Sequence, residues 1–236
     1  MGDLLFLAHR IPWPPDKGDK IRSWHLLNHL LNRGWRVHLG AFVDDPADFA
    51  HQAALEARCA SLCLRPITAG QRPWRALRGL LSGVSLSQAL FDDAAMHDWV
   101  SATCARHPVT GIVGFSGQMA PYLMAHADGR RTVMDLVDVD SAKWGQYAAE
   151  ARGPRRRLFA RECRRLFALE RAVAQRADAT LFVSQAEAAL FLSCAPETAA
   201  RVHALPNGVD LDFFDPAAGF PRAPVEGHDL SGEVVT

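Results

Sequence analysis

The sequence lacks net charge, a long apolar run and a secretion signal, and these absences exclude several classes of protein. Basic and acidic residues both number 26 in its 236 positions, so nothing global draws the chain to nucleic acid. No stretch of roughly 18 uncharged apolar residues occurs, as a membrane-spanning helix would require. The N-terminal apolar run is short and no basic residues precede it, unlike a signal peptide. We expect a cytoplasmic protein with no nucleic-acid partner.

Cysteine is scarce, and its spacing carries no metal or disulfide signature. The five cysteines are odd in number and scattered, and Cys59 and Cys63 lack histidine partners at zinc-finger spacing. Neither a Gly-x-Gly-x-x-Gly fingerprint nor a Walker loop occurs, which argues against binding of a dinucleotide or ATP. We therefore expect reduced thiols, no metal ion and no cofactor.

What the sequence does contain is an alternation of short apolar runs with longer segments of helical periodicity. Strands that are apolar on both faces must be covered on both sides, so the pattern predicts a parallel sheet between layers of helices. Right-handed crossovers make this an α/β, Rossmann-like, doubly wound domain. The predicted strands are residues 4–8, 35–43, 62–67, 111–115, 132–137, 179–183 and 202–205.

The composition changes near residue 215. Proline, alanine and glycine are frequent over residues 215–224, as in a linker, and the chain ends on the short apolar run Val234, Val235. We predict one domain over residues 1–215, and a linker with the first strand of a second domain over residues 216–236.

Ligands of doubly wound sheets bind beyond the carboxyl ends of the strands, so the loops there are the first candidates for a site. The first of them continues into the segment PPDKGDKIR, residues 14–22, which opens a helix. Gly18 allows close approach of a ligand, the charges of Lys17 and Arg22 suit a phosphate, and a helix N-terminus attracts anions. A helix start capped by Asp19, with solvated charges, explains the same residues.

A second loop carries acids where the fifth predicted strand ends, in the segment MDLVDVDS over residues 134–141. The carboxylate of Asp138 could accept hydrogen bonds from sugar hydroxyls, take a proton from one, or hold a divalent metal. An equally good explanation places Asp138 in a turn and lets Asp140 or Ser141 cap the next helix. We expect Asp135 to point away from the site.

Two further segments follow the last predicted strands. Ser184 precedes a helix and forms a capping-box pattern with Glu187. The string LPNGVDLDFF, residues 205–214, contains Asn207 and Gly208, a pair that alone signals only a turn.

Together these segments resemble family-4 glycosyltransferases of the GT-B fold. The resemblance is carried by ATLFVSQAE over residues 179–187 and by PNGVD over residues 206–210 with Phe213 and Phe214. A narrower resemblance, to sugar transferases of exosortase (PEP-CTERM) systems and exopolysaccharide clusters, rests on residues 10–22, 42–46 and 138–144.

The resemblance implies retaining transfer of a sugar from a nucleotide-sugar to a glycan or lipid-linked acceptor in exopolysaccharide biosynthesis. In that family the N-terminal domain mainly receives the acceptor. The C-terminal domain mainly binds the nucleotide, and we expect it to be missing here, so that the isolated chain is inactive. By position, the resemblance places Gly18 and Asp19 in a glycine-containing loop near the donor phosphates and the acceptor, and Asp138 near the acceptor pocket. It places Ser184, Asn207 and Gly208 close to the interdomain cleft.

One feature of that family has a false counterpart here. Glu162 and Glu170 have the eight-residue spacing of its paired glutamates, but they lie in a basic amphipathic helix without the accompanying glycine-rich loop, so we treat the spacing as coincidence. The apolar stripe of that helix is most simply a core face. A contact with the inner face of the membrane would nevertheless suit a lipid-linked acceptor.

Two other functions fit the same residues. A non-catalytic module could recognise an acceptor glycan or lipid-linked sugar and bind no nucleotide. An epimerase of the GT-B type would, like the transferase, need a second half.

Overall fold

A sheet of seven parallel strands runs through the part of the chain that the computed structural model describes, namely residues 2–68, 70, 72–208 and 215. The spatial order is β3-β2-β1-β4-β5-β6-β7, and every neighbouring pair is parallel. This confirms the predicted α/β, doubly wound, Rossmann-like architecture. The strands are β1 (Asp3–Ala8), β2 (Arg36–Val43), β3 (Ser61–Pro66), β4 (Val109–Phe115), β5 (Arg131–Val137), β6 (Ala179–Phe182) and β7 (Val202–Ala204).

Helices connect consecutive strands and cover the sheet. Two helices precede β6 and are separated at Gly153, which adopts a positive φ of 61° and is followed by Pro154 in the first turn of the second helix. The helices are α1 (Gly18–Asn32), α2 (Gln52–Glu56), α3 (Arg72–Ser82), α4 (Leu86–Leu90), α5 (Ala94–Arg106), α6 (Ala120–Met124), α7 (Asp140–Glu150), α8 (Gly153–Arg176) and α9 (Gln185–Cys194).

Strand β1 shows why the apolar runs needed cover on both faces. Its side chains alternate between two separate hydrophobic clusters: Leu5 and Leu7 join one, whereas Leu4, Phe6 and Ala8 join the other. Successive strand residues point to opposite faces, so a run buried on both sides has to be apolar throughout. Truncating one such leucine to alanine typically costs about 2–5 kcal/mol of stability.

The order of the strands reverses between β1 and β4. The chain passes outward from β1 through β2 to β3, then crosses back and continues from β4 to β7 on the other side. Because the connections after β1 and β4 leave in opposite directions, a crevice opens between them beyond the carboxyl edge of the sheet. The candidate site residues Lys17, Gly18, Asp19, Asp138 and Ser184 follow strands at this carboxyl edge.

The chain divides into two units, Met1–Pro206 and Asn207–Thr236. Each is described by itself. The predicted linker and final strand over residues 216–236 lie outside the described residues, and the predicted domain boundary at residue 215 stays a prediction. Among the described helices, none is both long and apolar enough to cross a membrane.

Candidate functional site

A network of charged side chains surrounds the carboxyl ends of β1 and β2. The Arg10 Nε lies 3.1 and 3.0 Å from the two carboxylate oxygens of Asp44, and the same guanidinium also pairs with Asp19. His9 Nε2 lies 3.3 Å from Asp19 Oδ2. The hydrogen bond from His9 and the charge of Arg10 lower the pKa of Asp19, although partial burial opposes them. Asp19 is therefore held as a carboxylate in the first turn of α1.

The start of α1 is exposed around Gly18. Lys17 occupies the N-cap position without a side-chain capping bond, and both Lys17 and Gly18 are exposed. A Cβ placed on Gly18 would meet no atom within 4 Å. The first turn thus presents backbone N–H groups to open space, with Lys17 beside them and the paired carboxylate of Asp19 close by.

Arg22 faces inward from the same helix and joins it to β5. It is only 7% exposed, and its Nε lies 2.9 Å from Asp135 Oδ2. The other oxygen of Asp135 accepts a hydrogen bond from the Val137 N–H at 3.1 Å. Burial raises the pKa of Asp135, and the neighbouring Arg22 counteracts that rise. The pair lies beneath α1, so the Asp135 carboxylate is not open to the crevice.

Two residues at the ends of adjacent strands have backbone conformations that are rare for side chains of their kind. Ser116, after β4, has a φ of 74°, and Val137, the last residue of β5, has a φ of 69°. The Ser116 N–H donates to the Asp135 carbonyl at 2.7 Å, and its hydroxyl bonds to the Gln118 side chain. Such residues typically cost about 1–3 kcal/mol each and cluster at functional sites.

Asp138 follows β5 directly at the carboxyl edge of the sheet, with its side chain 36% exposed. Lys143 Nζ lies 2.7 Å from Asp138 Oδ2 and 3.3 Å from Asp140 Oδ1. The expected capping role of Asp140 or Ser141 is wrong, because Val139 holds the N-cap position of α7 and offers no side-chain bond. Asp138 is thus an accessible carboxylate with a cation as its neighbour.

The glutamates of α8 accept hydrogen bonds from backbone groups at the starts of two other helices. Glu170 accepts hydrogen bonds from the Ser141 N–H at 2.9 Å and from its hydroxyl at 2.5 Å. Glu162 accepts the Leu86 N–H at the start of α4, at 2.6 Å. Both side chains are buried, and burial raises the pKa of Glu170 to about 7. The two glutamates serve helix starts inside this domain.

Ser184 caps α9 as predicted, since its hydroxyl accepts the Glu187 N–H at 3.1 Å. In a complete capping box the Glu187 carboxylate would accept the backbone N–H of Ser184. Here it accepts the Val139 N–H instead, at 2.6 Å. The loop that carries Asp138 is therefore tied to the start of α9.

The remaining predicted binding residues, Asn207 and Gly208, are exposed and belong to the second unit. Within the first unit, the carboxyl edge of the sheet brings together five of the predicted residues: Lys17, Gly18 and Asp19 after β1, Asp138 after β5 and Ser184 after β6. Arg22 lies below them.

Four residues of this edge were not predicted as site residues. His9 and Arg10 had a usable signal, because two polar residues follow a fully buried strand without a break. Ser116 and Val137 had none, since their unusual φ angles depend on the tertiary structure around them.

The fold and its crevice define a Rossmann-like, doubly wound α/β domain. No family model and no curated protein matches the chain. Solved structures similar in fold include TcCGT1 in complex with UDP (14% identity, TM-score 0.49, covering 88% of this chain and 50% of that one). A second is Glycyrrhiza uralensis UGT73P12 complexed with glycyrrhetinic acid 3-O-monoglucuronide (12% identity, TM-score 0.46, covering 88% of this chain and 49% of that one). A third is Os79 from O. sativa in complex with UDP (14% identity, TM-score 0.45, covering 89% of this chain and 53% of that one). The chain spans about half the length of these structures.

Proposed function

We propose that this domain is the acceptor-receiving half of a retaining, nucleotide-sugar-dependent glycosyltransferase of exopolysaccharide biosynthesis. The observation that carries the proposal is the convergence of an open helix start, a charged network and an accessible carboxylate on one edge of a doubly wound sheet. The segment 179–187, which resembles family-4 glycosyltransferases, spans β6 and the start of α9 at this edge, and the segments 10–22 and 138–144 of the narrower resemblance follow β1 and β5.

The proposed roles follow from these positions. Lys17 and the open backbone at Gly18 face the phosphates of the donor, while the Arg10–Asp19 pair keeps the loop in place. Asp138 contacts the acceptor hydroxyl and orients it or accepts its proton. Lys143, whose Nζ lies 2.7 Å from Asp138 Oδ2, holds that carboxylate in place until the acceptor arrives.

The other predicted residues act less directly in this proposal. Arg22 is buried and positions α1 through Asp135. The Ser184 hydroxyl is committed to the helix cap, which leaves its backbone to line the cleft. Asn207 and Gly208 follow β7, where the resemblance places them near the donor-binding half.

Catalysis of this kind requires both reactants to be held together. In the proposal the donor is bound by a second Rossmann-like domain. The test measures release of UDP from a panel of UDP-sugars in the presence of membrane lipid extract. It compares the purified chain alone with the chain plus the product of the adjacent downstream reading frame, where that frame encodes such a domain.

Asp138→Asn is the decisive variant, and Asp140→Asn is its matched control, because both carboxylates contact Lys143. We expect Asp138→Asn to lower kcat about 10²- to 10⁴-fold, the usual contribution of a positioned acid or base. The control should retain activity within a few-fold. Full activity of Asp138→Asn would remove its catalytic role, and robust transfer by the chain alone would refute the half-enzyme proposal.

The alternative function is a non-catalytic module that binds the acceptor. It is favoured by the absence of a phosphate-binding fingerprint and by the partial exposure of Asp138. Calorimetry with UDP and with octyl glucoside, a simple glycolipid, separates the two. Glycolipid binding without turnover in any combination of domains would support the module.

A membrane surface belongs to the proposal because α3 presents an exposed apolar face, made of Trp74, Leu77, Leu80 and Leu81. Trp74 is 74% exposed and Leu81 is 81% exposed, unusual values for such large side chains. An amphipathic helix of this kind can lie in the interface of a lipid bilayer. The sequence had suggested α8 for this contact, whereas the exposed apolar face lies on α3.

The basic start of α8 lies beside this helix and completes the surface. Arg161 Nη2 bonds to the carbonyls of Gly79 and Val84, each at 2.9 Å, which fixes α8 against the end of α3. The exposed arginines one turn earlier, 155–157, add positive charge that suits an anionic leaflet. We propose that the protein works in the cytoplasm with this surface on the inner face of the membrane, where a lipid-linked acceptor is found.

Vesicle co-sedimentation tests the contact. Truncating Trp74 and Leu81 to serine removes about 2–4 kcal/mol of apolar transfer, so binding to phosphatidylglycerol vesicles should weaken at least about tenfold. Leu190→Ser, at a leucine that is 44% exposed on α9, is the control and should bind normally. Equal losses in both variants, or no binding by the native chain, would contradict the proposal.

A further inference from the structure

The opposite, amino-terminal edge of the sheet holds a cluster of metal-ligating side chains that plays no part in the crevice. Asp3 is the first residue of β1, His38 lies near the start of β2, and His107 is the C-cap residue of α5, just before β4. Each offers one ligand atom, and these atoms all lie within 4.8 Å of one another. Asp3 and His38 are buried, and His107 is partly exposed.

The distances are close to those of a tetrahedral site. His38 Nε2 lies 3.1 Å from Asp3 Oδ2, and His107 Nδ1 lies 3.9 Å from the same oxygen. Ligand atoms bound tetrahedrally to zinc at about 2.0–2.1 Å are about 3.3 Å apart. The Asp3–His38 separation is close to this value, and movement of the His107 ring toward the other two ligand atoms would complete the set.

The surroundings orient the buried histidine for ligation. His38 Nδ1 lies 2.7 Å from the Ser61 hydroxyl, and this bond leaves Nε2 directed at Asp3. Histidines that bind metals commonly use their other ring nitrogen in this way, which fixes the ring and its tautomer. Arg36 approaches only the second carboxylate oxygen, Asp3 Oδ1, at 3.5 Å, so Oδ2 remains the ligand atom.

The exposure of His107 supplies both an entry path and a position for water. Its side chain is 36% exposed, and its ring centroid is 4.4 Å from that of His38. Two imidazoles and one carboxylate are a ligand set well suited to zinc, with water as the fourth ligand. The three residues come from distant parts of the sequence, which is why cysteine and histidine spacing indicated no metal.

We propose that Asp3, His38 and His107 bind one zinc ion, with water as the fourth ligand, at the amino-terminal edge of the sheet. The ion would join β1, β2 and the segment before β4, and no redox change or bond cleavage is involved. The proposal does not depend on the glycosyltransferase function, since the site lies at the opposite edge from the crevice.

Metal titration of the purified, chelator-treated chain is the test. We expect one equivalent of Zn²⁺ to bind with a Kd in the micromolar range or below, Co²⁺ to give the intense visible bands of a tetrahedral site, and Zn²⁺ to raise Tm. His107→Ala should weaken zinc binding at least tenfold and abolish the rise in Tm. His25→Ala, at an exposed histidine on α1, should match the native chain.

His107→Cys distinguishes loss of a ligand from loss of structure. A thiolate at this position can replace the imidazole, so the variant should recover zinc binding and show Co²⁺–thiolate charge-transfer bands. Absence of stoichiometric binding by the native chain would overturn the proposal, as would equal affinities of the native chain and His107→Ala.

Discussion

Burial of Glu170 should make the stability of this domain fall as pH rises through the weakly acidic range. The pKa of Glu170 is raised by burial from 4.5 to about 7, so the folded state holds a proton that the unfolded state has released. Stability decreases with pH wherever the folded state binds more protons. The penalty of ionising Glu170 therefore grows from about pH 4.5 to about pH 7 and is constant above that range.

Its size follows from the two pKa values. A change from 4.5 to about 7 corresponds to about 3 kcal/mol at 1.36 kcal/mol for each pKa unit. Glu170→Gln removes the ionisation and keeps an acceptor for the Ser141 N–H, while its amide can donate to the Ser141 hydroxyl. The variant should gain about 3 kcal/mol relative to the native chain between pH 4.5 and pH 8.

Urea denaturation at several pH values measures this difference. Other carboxylates change the absolute stability of both proteins alike, so the quantity to follow is the free energy of unfolding of the variant minus that of the native chain. Glu150→Gln removes one exposed charge and should show no comparable trend. A constant difference between Glu170→Gln and the native chain across this range would refute the argument.

Two further predictions concern the framework of the crevice. Arg22→Met leaves the buried Asp135 without its cation and should lower the free energy of unfolding, measured by urea denaturation, by about 3–5 kcal/mol. Adding Asp135→Leu in the same chain should recover part of this loss. A loss below about 1 kcal/mol in Arg22→Met would show that the pair is unimportant. Ser184→Ala removes the cap of α9 and should cost about 1 kcal/mol, with Ser193→Ala, in the last turn of the same helix, as a control near zero. Equal effects of the two serines would argue against the cap.

The sheet could be predicted from the sequence because a strand buried on both faces is a short run of apolar residues, a pattern visible in the sequence of the strand itself. In β1 every residue is buried, and the run from Leu4 to Ala8 is apolar, so it is recognisable without knowledge of its neighbours. The break between α7 and α8 was equally local, since Gly153 and Pro154 mark it in any context. Helical periodicity and these breaks together were sufficient for the fold class.

The site was harder to predict from the sequence, because the side chains of its residues are oriented by contacts with residues far away in the sequence. Nothing near Arg22 indicates that it turns inward to Asp135, which is 113 residues away. The charge pattern around Gly18 therefore suggested a phosphate contact for an arginine that is buried. The α3 surface was missed for a related reason: helical periodicity does not distinguish an apolar face that is buried from one that is exposed.

The caps provided by Glu162, Glu170 and Glu187 have a consequence for how the domain forms. They reach back to backbone groups that lie 76, 29 and 48 residues earlier in the chain. During synthesis, the segments beginning at Leu86 and Val139 emerge well before the carboxylates that complete them. The loop that carries Asp138 is thus fully tied down only after the start of α9 has left the ribosome. Premature termination before Glu187 would remove β7 and most of α9 and would leave the Val139 N–H without its carboxylate partner.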